Sequence, residues 1–181
     1  MNKTVVSYFK LPILISAVLT VVLIAVTSIR LPIQATQIIL GAFLGTFILD
    51  MEYFLYAYAL EPEKEFSKTL IGFLKHRDFA NIVNHIKYHK DDVEDKSLNS
   101  ALFQVVFAVL SIFVVTATKS LFAKAFVLSI LASSLYKLSE IYFEDKTNEW
   151  FWAFKTKPSK SGTKIFFGGI TVILVLCIYL A

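Results

Sequence analysis

Polar residues fall along this chain in blocks, separated by long apolar stretches. Residues 11–29 are apolar apart from Ser16, Thr20, Thr27 and Ser28, and residues 33–60 form a second stretch. Three more follow at 101–118, 121–143 and 165–181. A helix rises about 1.5 Å per residue and the hydrocarbon core of a bilayer is about 30 Å thick, so about 20 helical residues cross it. The pattern predicts an all-α fold: a polytopic transmembrane helical bundle, one membrane domain over residues 1–181 with five spanning helices. The stretch at 165–181 is at the short end for a span. A signal peptide is the rival reading of the first stretch, but its apolar region would normally be about 7–15 residues and Ala25 with Thr27 is a weak cleavage pair. A retained helix is favoured. Arg30, Leu31 and Pro32 form a tight turn, since proline suits the first turn of the helix that follows.

Two regions break the apolar pattern. Residues 61–98 hold seven basic and eight acidic residues and no run long enough to span. Pro62 followed by Glu63 and Glu65 is a helix-start signal, and Phe66, Leu70, Phe73 and Leu74 recur at helical spacing. A second amphipathic stretch carries Phe79, Ile82, Val83, Ile86 and Val93. Both are expected to lie along the membrane surface with their apolar faces down. Residues 144–164 mix Trp150, Phe151, Trp152 and Phe154 with Lys155, Lys157, Lys160 and Lys164, the composition of an interfacial belt. Ser97, Asn99 or Ser100 is expected to cap the helix that begins near Ala101.

Composition agrees with lipid surroundings: 56% of the residues are hydrophobic and 18% charged, against about 25% charged in soluble domains. The net charge of +4 does not point to nucleic acid, because the lysines flank apolar segments and no basic helix, zinc pattern or RNA-binding motif accompanies them. With five spans, one side of the membrane holds 14 basic residues and the other holds Arg30, Lys119 and Lys124. Positively charged connections stay in the cytoplasm. The expectation is a multi-pass protein of the inner or plasma membrane, with its N-terminus cytoplasmic, the 61–98 insert cytoplasmic and its C-terminus outside. The lone Cys177 excludes an intramolecular disulfide. Gly168 and Gly169 read as a helix-packing position.

The candidate chemistry lies in the second apolar stretch. A carboxylate near the middle of a spanning helix costs about 2.5–3.5 kcal/mol, so Asp50 and Glu52 each need a partner, protonation or water. On a regular helix they project about 160° apart, with Glu52 within about 40° of Gly41 and Gly45. Those glycines, four residues apart, let another helix approach closely. Asp50 and Glu52 are the candidate catalytic or metal-binding carboxylates. The competing role is a structural ion pair of Asp50 and Glu52 with Lys137, the cation of the fourth stretch. His85, His89 and Asp92 would project within about 60° of one another on a continuous helix, a weak metal-ligand pattern. No cofactor is otherwise expected. No nucleophile elbow or phosphate-binding glycine loop is present.

The stretch from Leu44-Gly45 through Leu49-Asp50-Met51-Glu52, with Ser97-Leu98-Asn99-Ser100-Ala101-Leu102-Phe103-Gln104 after the insert, resembles small bacterial inner-membrane proteins. These are distant relatives of the family of membrane-bound metal-dependent hydrolases, the LexA-binding group. The resemblance covers about residues 40–140 and implies an Asp-x-Asp pair in an early span, matched here by Asp50 and, conservatively, by Glu52. Tyr53, Leu98-Asn99 and Ser133-Ser134 stand where the family places histidines or its third site. The resemblance implies a shared scaffold more than a shared reaction. A non-enzymatic structural, interaction or accessory protein of the membrane is the favoured reading, with lipid and a protein partner or second copy as its contacts. A divergent membrane hydrolase is the alternative.

Overall fold

The computed structural model describes residues 3–29, 31–89, 93 and 97–181, with side chains from Lys10 onward. The described residues are helical, and no strand occurs among them. Helix α1 covers Lys3–Thr27 and α2 covers Pro32–Phe47. Ser28 takes a positive φ of 50° at the turn between them, and extended Leu31 places Pro32 in the first turn of α2, where its missing N–H costs nothing. The apolar stretch then continues through a 3₁₀ turn at Ile48–Asp50, α3 at Met51–Leu55 and a π turn at Tyr56–Leu60. The insert forms α4, Glu65–Lys75, and α5, Phe79–His89. The remaining helices are α6, Ala101–Ala117; α7, Leu121–Phe143; the short α8, Thr147–Trp150; and α9, Lys160–Leu180.

Serine starts three of these helices. Ser100, Ser120 and Ser159 each accept a backbone N–H from Phe103, Ala123 and Gly162 respectively, which satisfies a donor the helix leaves open and contributes about 1 kcal/mol each. The Ser159 cap also corrects the expected length of the last span. The helix begins at Lys160 rather than near residue 165, so its 21 residues exceed the 17 that hydropathy delimits. Lysine stems can continue a helix past the end of its apolar run, which is why the sequence reading began it too late.

Helix α7 is the axis of the bundle. Its buried positions include Ala125, Val127, Leu128, Ile130 and Ser133, distributed around its circumference, as expected of a helix surrounded by others. Ala101 clusters with Leu138, Ala108 with Leu131 and Leu135, and Val115 with Ala125 and Leu128, so α6 runs antiparallel to α7. Cys177 of α9 clusters with Leu128, while Phe166 and Phe167 pack on the clusters of Leu135 and Leu138, so α9 is antiparallel to α7 as well. Helix α2 runs parallel to it: Gly41 lies against Phe122, Gly45 against Phe126, and Asp50 against Lys137. Leu19 and Leu23 of α1 join the same cluster as Ile38 and Ala42 of α2.

The α2–α7 contact is backbone to backbone. A Cβ on Gly41 would collide with the carbonyl oxygen of Phe122, and one on Gly45 with that of Phe126. Just beyond, Ser129 Oγ donates to the Ala42 carbonyl at 2.6 Å and lies 2.8 Å from Thr46 Oγ1. Gly168 and Gly169 behave differently from their expected packing role. A Cβ at either meets open space, because that face of α9 has no neighbouring helix.

The outer faces are apolar. Val21, Ile33, Val109, Phe113 and Val172 are exposed, the reverse of a polar shell. Among the described residues, four helices are long and apolar enough to cross a membrane: Lys10–Thr27, Pro32–Leu60, Leu121–Phe143 and Lys160–Leu180. Helix α6 is as apolar but has 17 residues.

Because the glycine seam fixes the bundle, Gly41→Ala and Gly45→Ala should each lower stability by about 1–3 kcal/mol, the usual cost of overpacking. Gly168→Ala should be neutral or stabilising by up to about 1 kcal/mol through helix propensity. Thermal unfolding in detergent measures all three, and equal effects would remove the seam as the tight contact.

Candidate functional site

Asp50 and Glu52 stand where regular α-helix is interrupted. The 3₁₀ turn at Ile48–Asp50 tightens the backbone to about three residues per turn, so angles projected from Gly41 and Gly45 along a regular helix do not carry through to Glu52. The two carboxylates have separate partners, on different neighbours.

Lys137 Nζ donates to Asp50 Oδ1 at 2.8 Å, and both side chains are less than one-fifth exposed. This pair links α2 to α7 at the far end of the glycine seam. No hydrogen bond or salt bridge joins Glu52 to Lys137, so of the two acids set against this lysine Asp50 is the one paired with it, as two side chains projecting to different surfaces require. The Glu52 side chain is 1% exposed and accepts from the backbone N–H of Leu98 at 2.8 Å and of Asn99 at 3.1 Å. The Asn99 side-chain amide also donates to Glu52, and to the Leu49 carbonyl at 3.2 Å. The reason is proximity to a helix start. Backbone N–H groups just before α6 are fixed donors, and the positive end of a helix favours an anion.

These bonds also correct the expected depth of the acids. Glu52 lies level with residues 98–99, immediately before α6 begins, rather than half-way along a span. The residues beyond it turn to the insert: Tyr53, Tyr56 and Ala57 form one buried cluster with Phe66, Leu70, Ile82, Ile86 and Val93. The apolar faces of α4 and α5 therefore pack on each other and on the end of the second stretch, rather than facing outward as a surface pair. Burial against protein satisfies the same hydrophobic drive that a lipid surface would.

His85 is built into this cluster. Its Nε2 lies 3.1 Å from the Phe66 carbonyl oxygen and its ring stacks on Phe66, with the centroids 4.7 Å apart. The His89 ring is 4.8 Å from that of His85. Asp92, the third member of the expected ligand set, lies outside the described residues. Among the described residues, no three His, Cys, Asp or Glu side chains converge as a metal-ligand group.

Sequence reasoning missed one polar contact. Trp150 and Gln104 are both fully buried, and Trp150 Nε1 donates to Gln104 Oε1 at 3.1 Å. The signal was available: Gln104 is the one amide in the apolar run of α6, and a buried indole N–H needs an acceptor. Trp150 and Phe151 thus leave the expected interfacial belt and fill the space beneath α6 and α7, whereas Trp152 and Phe154 remain about 40% exposed.

Chemically, the arrangement joins elements. One carboxylate is paired with an ammonium and the other accepts from three donors, and both contacts link elements at one end of the bundle. No family model matches this chain, and no curated protein or solved structure is significantly similar to it.

Glu52→Ala would strand two backbone N–H groups and one amide, at about 1–3 kcal/mol for each buried donor. Hydrogen exchange of residues 97–101 should accelerate strongly in that variant and less in Glu52→Gln. Lys137→Met should destabilise by less than the roughly 3–5 kcal/mol of a fully buried pair, and adding Asp50→Leu should restore much of the loss. Absence of coupling in that cycle would separate the two side chains energetically.

Proposed function

We propose that this chain is a five-span integral membrane protein with a structural or accessory role, in which the intrahelical acids orient helices instead of performing catalysis. The observation that carries this reading is the engagement of each candidate catalytic group. Asp50 is bound by Lys137, Glu52 by the backbone before α6, and His85 by the Phe66 carbonyl. A hydrolase of the kind the family resemblance implies needs two or more of these side chains to face one metal ion. Here they serve different neighbours.

Helix α6 is the fifth span in this reading. At about 1.5 Å per residue its 17 residues reach the lower limit of roughly 17–25 for a crossing. Only Thr118, Lys119 and Ser120 separate it from α7, and the two helices pair antiparallel from Ala101 to Val115. A helix so paired occupies the same depth as its partner. The alternation of directions through α1, α2, α6, α7 and α9 supports the same count. The insert then meets the cytoplasm together with the lysine-rich residues 144–164, by the distribution of basic residues.

Two measurements test the reading. In a Cys177→Ala background, single cysteines at Lys119 and at Lys157 should be labelled by an impermeant maleimide from opposite sides of the membrane. Labelling from the same side would remove the single crossing between the two connections on which orientation rests, since α7 alone of the proposed spans separates them. Metal analysis of the purified protein beside Asp50→Asn and Glu52→Gln should show no metal that depends on either acid; selective loss in the variants would transfer the reading to the hydrolase.

A further inference from the structure

A cavity of about 230 Å³ opens between the last turns of α7 and the first turns of α9, at the end of the bundle where Asp50, Glu52 and the insert lie. Leu138, Tyr142, Phe143 and Phe167 form apolar walls, and the lining also includes Ser139 and Lys164. Its size separates two kinds of ligand. Pockets that enclose a whole small molecule run from about 300 to 1,000 Å³, so this one suits a single narrow chain whose remainder lies outside.

Charge selects the rest of the ligand. The first turn of α9 holds no acid, and Lys160 and Lys164 both stand near the helix end that already carries a partial positive charge. Basic residues there oppose the helix dipole instead of complementing it. Asp145 answers Lys160, at 2.6 Å. Lys164 is exposed and forms no ion pair among the described residues. The nearby lysines Lys155 and Lys157 are exposed as well, and although Glu144 and Asp145 lie at the same end, they pair with Lys146 and Lys160, which leaves the Lys164 ammonium to an anion. Exposed Trp152 and Phe154 mark the same end as a level where rings meet head groups.

We infer that the α7–α9 cavity is a binding site for one anionic glycerophospholipid, with an acyl chain between Leu138 and Phe167 and the phosphate on Lys164. The inference rests on the membrane reading above. An apolar slot lined by one lysine that no acid pairs with matches the two ends of such a lipid, and a zwitterionic lipid would gain less from that cation.

The test uses the full chain, purified in detergent and stripped of lipid, then titrated with phosphatidylglycerol or phosphatidylcholine and read by native mass spectrometry. One phosphatidylglycerol per chain should be retained in preference to phosphatidylcholine. Lys164→Gln should weaken that retention about fivefold, the effect of one lysine near an anionic head group. Lys164→Arg should preserve it, Lys155→Gln should leave it unchanged, and Ser139→Trp should abolish it by filling the slot. Equal retention of the two lipids, or equal losses at Lys155 and Lys164, overturns the site. Lys164 is exposed, so its variants decide the matter even if Ser139→Trp fails to fold, which circular dichroism reports. Failure of the membrane reading is seen separately and earlier, as a chain that stays monodisperse in water before any lipid is added.

Discussion

The contact of α2 with α7 at Gly41 and Gly45 is the constraint from which the other helix positions follow. In the lipid surroundings proposed above, two helices with apolar outer faces gain little from the hydrophobic effect by meeting, so close packing and interhelical hydrogen bonds hold them. Here the contact changes character along its length. It begins as backbone against backbone at the glycines, continues through hydroxyls at Thr46 and Ser129, and ends in ions at Asp50 and Lys137. Each step needs the one before it. Side chains as short as serine and threonine bridge helices only where the glycines have drawn the backbones together.

With α2 and α7 fixed, the insert poses a problem of closure. The chain leaves the bundle after Leu60 and returns at residue 97, and bringing the ends of such an excursion together costs entropy that grows slowly with its length. Glu52 supplies a return point. Its carboxylate collects donors from Leu98 and Asn99, and Ser100, one residue later, caps α6. The apolar faces of α4 and α5 close on Tyr53 and Tyr56, so the excursion is packed as well as tethered.

Residues 144–164 divide by the same logic. The indole of Trp150 finds its acceptor in Gln104 and is buried beneath α6 and α7, and this ties the connection to the bundle. Trp152, Phe154, Lys155 and Lys157 are exposed. One short segment thereby serves both as a plug and as a surface.

The helical class, the five apolar stretches and the need of Asp50, Glu52 and Lys137 for partners were legible because each is a property of consecutive residues: an apolar run reads the same whatever it packs against, and an ionisable residue inside one needs compensation. Which donors Glu52 takes was not legible. Regular geometry put Glu52 on the glycine face, but the 3₁₀ turn at Ile48–Asp50 altered the rotation, and the donors that bind it lie 46 and 47 residues away. Likewise Gly168 and Gly169 look like Gly41 and Gly45 in an apolar run, yet only the latter have a helix against them. Sequence by itself determined what must be shielded from water. Tertiary structure alone decided which groups do the shielding, because that depends on the rotation and spacing of helices brought together from distant parts of the chain.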